Sequence, residues 1–116
     1  MKENNIDEIV QWYDSFLEIV KQLSMNADDQ LQKLNGTVVT DEIASDYTEI
    51  GMRYAQKLLS HGWITQEQFC LAEDIECMLE QMTQKRELWN DDALLNSTEW
   101  ENCRNRGRVL LKTLEA

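Results

Sequence analysis

Apolar residues recur along most of this chain at intervals of three and four, which is the spacing of one face of an α-helix. The pattern predicts long helices over residues 6–23, 41–60, 65–86 and 97–114. Between these helices, we expect a short helix over residues 24–36 and a loop with about one helical turn over residues 90–96. The only β-branched run, residues 37–40, has no partner run elsewhere, so we expect no sheet.

The first predicted helix has a wide apolar face. Its inward set is Ile6, Ile9, Val10, Tyr13, Phe16, Leu17 and Val20, and Asn5 precedes it as the expected N-cap. Trp12 and Ile19 widen this face to about half of the helix circumference, more than an ordinary amphipathic stripe. The width predicts either a central position in a bundle or a surface for self-association.

The helix predicted from Asp41 to Ser60 contains a glycine, Gly51, which suggests that another helix approaches it closely. Its expected inward residues are Ile43, Tyr47, Ile50, Tyr54 and Leu58. Thr40 is the expected N-cap of this helix, and Gly62 is expected to end it.

Capping signals also mark the later helices. Thr65 and Gln68 have the spacing of a capping box, and Ser97 is a strong N-cap candidate. Together with the periodicity, these signals predict an all-α fold. We expect residues 1–116 to form a single-domain helical bundle of four main helices plus short helical segments.

Composition supports this picture and excludes several functions. The chain has 116 residues and no proline, a length that suits one domain with its own core. Its net charge of −11 argues against direct binding of nucleic acid, because such modules bring lysine and arginine to phosphates. We expect no membrane contact, because no apolar run approaches the roughly 20 residues that span a bilayer. The opening residues MKENNIDE lack the apolar stretch of a secretion signal, which predicts a cytoplasmic location.

The negative charge is concentrated in the first part of the chain. Residues 1–83 hold 16 acids and 5 bases, whereas residues 84–116 hold 6 of each. Two acidic rows follow helical spacing. The first is Glu42, Asp46 and Glu49, and the second is Glu73, Glu76 and Glu80, with Asp74 beside it. Like charges at these spacings repel each other, so each row is either a solvated face or a surface that awaits a basic partner.

Residues that carry enzyme chemistry are scarce. His61 is the only histidine, and the three cysteines lack the Cys-x-x-Cys spacing of a zinc site. We expect Cys70, Cys77 and Cys103 to be small core residues with free thiols. The chain has no glycine-rich phosphate loop and no paired Glu-x-x-His motif. We therefore expect a protein that is not an enzyme and that uses neither a metal nor a cofactor.

Two tryptophans are candidate anchors for a protein partner, because tryptophan is enriched at binding hot spots. Trp12 lies on the flank of its helix, and Trp89 leads into the polar sequence Asn90-Asp91-Asp92. The expected partner-binding residues are therefore the two acidic rows together with Trp12 and Trp89.

A small, acidic, helical domain of this kind resembles, at the level of class, the immunity proteins that neutralise bacterial nuclease toxins. The resemblance implies a mechanism in which an acidic helical face covers the basic active-site cleft of the toxin. A second hypothesis is a phage-encoded inhibitor that mimics nucleic acid and meets a host defence enzyme. A third is a homo-oligomeric scaffold or adaptor, such as a homodimer, that uses the arc around Trp12 and Ile19.

Overall fold

Helices form nearly all of the chain that the computed structural model describes, which is residues 6–115. The α-helices are α1 (Ile6–Ser24), α2 (Ala27–Lys33), α3 (Val39–Ser45), α4 (Met52–Ser60), α5 (Gln66–Met82), α6 (Asp91–Asn96) and α7 (Thr98–Glu115). A π-helical turn, Asp46–Gly51, joins α3 to α4 without a break, and we call residues 39–60 the long arm. A 3-10 turn spans Arg86–Leu88. The expected all-α fold is confirmed. Asn5, the expected N-cap of the first helix, lies outside the described residues.

The long helical pieces form a bundle in which each piece runs antiparallel to its neighbours. The long arm crosses α1 with Asp46 opposite Gln22 and Lys57 opposite Trp12. Helix α5 crosses α7 with Gln68 opposite Thr113 and Met82 opposite Cys103. The Tyr13 hydroxyl donates to the Leu114 carbonyl of α7 at 2.7 Å, and the Tyr47 hydroxyl donates to the Ala72 carbonyl of α5 at 2.8 Å. The order around the bundle is therefore α1, long arm, α5 and α7.

The core lies along the axis of this bundle and draws on every long helix. Its largest fully buried apolar or aromatic side chains are Phe16, Leu23, Ile43, Tyr47, Leu58, Ile75, Leu79, Leu94, Trp100 and Leu110. Each buried aliphatic or phenyl side chain contributes about 1.5–3 kcal/mol relative to an exposed one. The predicted periodicity thus corresponds to a real buried face in most places.

The first turns of α1 are an exception. Ile6 and Val10 were expected to face inward, but they are exposed. Helix α7 ends at Glu115, beside Tyr13, so α1 projects beyond its neighbour at this end. The apolar spacing is helical there, and Ile9 is buried, but the described part of α7 ends beside Tyr13 and leaves Ile6 and Val10 uncovered.

The long arm differs from a regular helix in its register. The π-helical turn adds a residue between Tyr47 and α4, so the buried face moves past Ile50, which is 42% exposed, to Met52 and Ala55. The prediction that Ile50 is a core residue is therefore wrong, whereas Tyr54 is half-buried and packs against the core. Gly51 has the predicted role, since a Cβ atom there would lie 3.1 Å from the Ile19 Cγ2 atom of α1.

Most of the predicted helix ends are confirmed. Thr65 and Gln68 form the complete capping box, and the Ser97 hydroxyl accepts a hydrogen bond from the Trp100 amide. Gly62 ends the long arm with a φ of +75°, a conformation that suits glycine. Thr40 is not an N-cap, because the helix begins one residue earlier and the Thr40 side chain is buried within its first turn.

One end of the bundle is closed by a buried polar network. The Gln30 side chain of α2 donates to the carbonyls of Gln22 and Leu23, at the end of α1. Arg104 of α7 is 4% exposed and donates to the Leu94 carbonyl of α6 at 3.0 Å and to the Gln30 Oε1 atom at 3.4 Å. These bonds fix the two short helices against the long ones.

Candidate functional site

An open groove runs between the long arm and α5. Its wider part is a hollow of about 640 Å³, lined by Asp41, Ala44, Ser45, Thr48, Glu76, Leu79, Glu80, Thr83 and Trp89. A second hollow of about 480 Å³ shares Thr48 and Glu76 with the first, and its other lining residues are Glu49, Met52, Arg53, Gln56 and Glu73. We call the two hollows together the acidic groove. Of the described residues that line it, five are carboxylic acids and one, Arg53, is a cation.

The residues of the long arm explain why this groove stays open. Ala44, Ser45 and Thr48 have small side chains, so the arm leaves space above α5 at these positions. Tyr47 points the other way, into the core, and its hydroxyl bond to Ala72 holds the arm against α5. The floor of the groove is therefore anchored, whereas its outer part is free of bulky side chains.

The carboxylates in the groove are not balanced by nearby cations. Glu76 is half-buried at the centre, between Glu73 and Glu80 on α5. Burial raises the pKa of the Glu76 carboxyl above its ordinary value, and the negative charges of Glu73 and Glu80 raise it further. The negative charge at this position is held at a cost in free energy, which a bound cation would reduce.

Trp89 forms an aromatic wall at the wide end of the acidic groove. The side chain is half-buried, and its indole N–H donates to the Met82 carbonyl at 2.9 Å. Its ring lies 5.4 Å from that of Trp100, which is fully buried and donates its own indole N–H to the Leu88 carbonyl at 2.7 Å. The Trp89 ring is thus fixed from two sides before anything enters the groove.

The structure brings together part of the predicted set of binding residues. Glu73, Glu76, Glu80, Glu49 and Trp89 all line the acidic groove. The row on α5 and the last member of the row on the long arm therefore face the same space, although they are far apart in sequence.

Other predicted residues lie elsewhere. Asp74 faces α7, where its carboxylate is 3.6 Å from the Arg106 guanidinium. Asp46 faces α1 and accepts a hydrogen bond from the Gln22 side chain at 2.9 Å. Glu42 is half-buried and does not line the acidic groove. The row Glu42, Asp46 and Glu49 is therefore not one face. Asp46 and Glu49 both lie in the π-helical turn, and Asp46 contacts α1 whereas Glu49 lines the groove.

Trp12 is part of the packed interior and not a surface anchor. It is 9% exposed, the His61 ring lies edge-on to it at 5.3 Å, and the Lys57 ammonium lies 4.8 Å from its ring centroid. Ile19, the other residue of the wide apolar arc, is half-buried against Gly51. The flank of α1 thus packs against the long arm of the same chain.

Sequence reasoning missed several residues of the groove. Asp41, Ser45 and Thr48 are spaced four and three apart, so their polar side chains share one face of a helix, and this spacing could have predicted that they line one surface. Leu79 was expected in the core, and it is buried at the floor of the groove.

The three cysteines are free thiols in different surroundings. Cys103 is buried, and burial raises the pKa of its thiol to about 12, so it stays protonated. Cys70 and Cys77 are exposed, so the expectation that all three are core residues is wrong for these two. Within residues 6–115, no group of three or more His, Cys, Asp or Glu side chains is placed to hold a metal ion.

Comparisons with known proteins do not extend this picture. No protein-family model, curated protein or solved structure shows significant similarity to this chain. In the part of the chain that the structure covers, every helix is too short or too polar to cross a membrane.

Proposed function

We propose that this chain is a non-enzymatic protein-binding domain that neutralises a basic partner through the acidic groove. The observation that carries the proposal is the unbalanced charge of the groove, five carboxylates to one arginine, beside a fixed tryptophan. A negative potential at a concave surface accelerates encounter with a basic protein and disfavours acidic ones. A fixed aromatic side chain adds contact area without a large loss of side-chain entropy on binding.

The partner that best fits this surface is a nuclease toxin. A nuclease must bind phosphates, so its active-site cleft is basic. An acidic domain that covers the cleft blocks access by nucleic acid and relieves its own carboxylate repulsion in the same step. On this proposal the chain is an immunity protein that acts in the bacterial cytoplasm.

Two other functions predict different partners. A phage-encoded mimic of nucleic acid would use the same groove but bind a host enzyme that processes nucleic acid. A homo-oligomeric scaffold would need the arc around Trp12 and Ile19, and both side chains already pack against the long arm. We therefore favour a basic partner over self-association.

The test is charge reversal in the groove with a matched control. The groove variant carries Glu73→Lys, Glu76→Lys and Glu80→Lys. The control variant carries Asp14→Lys, Glu18→Lys and Asp29→Lys, which gives the same change in net charge at exposed positions outside the groove. Tagged wild-type chain is used to capture its partner from lysate of the native host, and the affinity of the purified partner is then measured for all three chains.

We expect the captured protein to be a basic nuclease that the wild-type chain inhibits at a 1:1 ratio. The groove variant should keep its helical circular dichroism and bind at least tenfold more weakly, whereas the control should lose much less. Equal weakening by the two variants, or unchanged affinity in a folded groove variant, would contradict the proposal. Inhibition of a host enzyme in place of a toxin would select the phage-inhibitor alternative.

A further inference from the structure

The wide end of the acidic groove has a chemistry of its own. Three carboxylates, from Asp41, Glu76 and Glu80, line a hollow of about 640 Å³ together with the ring of Trp89. The apolar residues Ala44 and Leu79 complete its lining, and no lysine or arginine among the described residues reaches it. Arg53, the one cation among the described residues that line the groove, lies at the other hollow.

We propose that this hollow is a subsite for one arginine side chain of the partner. Trp89 provides the aromatic surface against which the guanidinium stacks, and Glu76 and Glu80 provide the carboxylates that accept its N–H groups. The inference rests on the proposed function, since it names the group that the basic partner inserts into the groove.

The shape of the guanidinium decides between arginine and lysine. A guanidinium is planar and weakly hydrated, so it can stack on an indole ring while its edge donates to carboxylates. It also forms two parallel hydrogen bonds to one carboxylate, a geometry that an ammonium cannot copy. A lysine would be attracted by the same net charge. Its ammonium is more strongly hydrated, however, and can neither stack on the indole as a plane nor form paired hydrogen bonds to one carboxylate.

The subsite is assembled before the partner arrives. The Met82 carbonyl and the Trp100 ring hold the Trp89 indole in place. Glu76 is held half-buried by the position of α5 beside the long arm, with Glu73 and Glu80 on its own helix and Asp41, Glu49 and Arg53 across the groove. A site that is fixed in this way loses little conformational entropy on binding, so it can discriminate between side chains of equal charge.

The experiment compares two helical 15-residue peptides that are identical except for their cations. One carries arginine at three positions spaced four and three apart, to match Glu80, Glu76 and Glu73 on α5, and the other carries lysine there. Binding of each peptide to the full chain is measured by isothermal titration calorimetry at low salt. The ratio of the two affinities is the quantity of interest, because it cancels the general attraction between opposite charges.

We expect the wild-type chain to bind the arginine peptide at least fivefold more tightly than the lysine peptide. Trp89→Leu should reduce this ratio by at least half, because only the hydrogen bonds to the carboxylates would still favour arginine, and Trp89→Phe, which keeps a ring, should reduce it less. The matched control is Trp63→Leu, which removes a partly exposed tryptophan outside the groove and should leave the ratio unchanged. Circular dichroism of each variant establishes that it is folded.

The outcomes separate this inference from the function on which it rests. Equal affinities of the wild-type chain for both peptides, or a ratio that Trp89→Leu leaves unchanged, would overturn the arginine subsite. Absence of binding by either peptide would overturn it as well. The proposed function would still stand in these cases if charge reversal in the groove weakened binding of the captured nuclease.

Discussion

The two sides of helix α5 differ in whether their charged side chains have partners of opposite charge. Towards α7, its polar groups have partners: Asp74 lies 3.6 Å from Arg106, and Gln68 donates to the Thr113 carbonyl. Towards the long arm, Glu73, Glu76 and Glu80 face a groove with one cation, and the Glu76 pKa is raised. The difference teaches that part of the excess of acids is collected at one open place, where five carboxylates and one arginine line the groove.

The neutral last part of the chain fits this comparison. Two of its arginines serve the fold, since Arg104 is buried in the network with Gln30 and Leu94, and Arg108 donates to the Ser24 carbonyl of α1 at 2.9 Å. These two cations are therefore used where helices meet, and neither lines the groove.

The largest expected effect is a loss of stability on replacing Arg104, the buried arginine of α7, compared with Arg106, the exposed one. Arg104→Met keeps much of the side-chain volume but leaves the acceptors of Gln30 and Leu94 buried without their donor. We expect the free energy of unfolding to fall by about 3 kcal/mol. The measurement is urea denaturation followed by circular dichroism.

The control for this change is Arg106→Met on the same helix. Arg106 and Asp74 are both more than half exposed, so their ion pair should contribute less than about 0.5 kcal/mol. A similar loss of stability in both variants would break the distinction between buried and surface cations.

The second prediction compares the two glycines at which helices approach α1 closely. A Cβ atom at Gly107 would collide with the Ser24 hydroxyl and lie 3.2 Å from the Leu23 Cδ2 atom. We expect Gly107→Ala to lower the free energy of unfolding by about 1–2 kcal/mol, because the Ser24 hydroxyl must give up its hydrogen bond to the Val20 carbonyl and the Leu23 side chain must shift. Adding Ser24→Ala should recover part of this loss.

Gly51→Ala should be much milder. The contact with Ile19 at 3.1 Å is tight, but alanine stabilises a helix by about 1 kcal/mol relative to glycine. We expect a net change within about 0.5 kcal/mol in urea denaturation. Equal costs at Gly51 and Gly107 would mean that the two crossings of α1 are equally close-packed.

The smallest predicted effect is an increase in stability. Glu76→Gln removes the central charge of the row and with it two repulsive pairs, which should raise the free energy of unfolding at neutral pH by about 0.5 kcal/mol. The same change should weaken binding of a basic partner. A surface residue with no function would not show opposite signs for stability and binding.

The pH dependence gives this prediction a second readout. The Glu76 pKa is higher in the folded chain than in the unfolded chain, so the folded chain binds more protons between the two values. The contribution of Glu76 therefore lowers stability as the pH rises through this window, and it vanishes below the ordinary glutamate pKa. The advantage of Glu76→Gln should accordingly be present at neutral pH and absent near pH 3; a constant difference would contradict it.

Local signals were enough to predict the helical fold and many helix ends. Periodicity alone identified α1, α5 and α7, and the side chains of Thr65 and Ser97 act within one turn of their own positions. Helix periodicity and N-caps depend on residues that are close in sequence, so the sequence alone is enough to predict them.

The groove could be predicted only in part, because it depends on contacts between distant residues. The charge row on α5 was visible, but Asp74 and Asp46 were assigned to binding although Arg106 and Gln22 lie next to them in the fold. No sequence motif marks the π-helical turn. Its residues contact two other helices: the Tyr47 hydroxyl donates to the Ala72 carbonyl of α5, and Gly51 lies against Ile19 of α1. The sequence alone does not predict that Tyr47 contacts Ala72 or that Gly51 contacts Ile19, because both contacts depend on how the helices are arranged.

The π-helical turn is a place where the gene can lose a codon without rearranging the long arm. One residue of α-helix corresponds to a rotation of about 100°, so a single-codon deletion within α4 would turn the residues that follow it by that angle. Within the π-helical turn, an in-frame deletion of Thr48 or Ile50 would instead remove the extra residue, so the turn could become α-helical while Met52 and Ala55 stayed on the buried face. Helix content and net charge would stay nearly constant, and a residue of the outer surface would be lost without a change in the core.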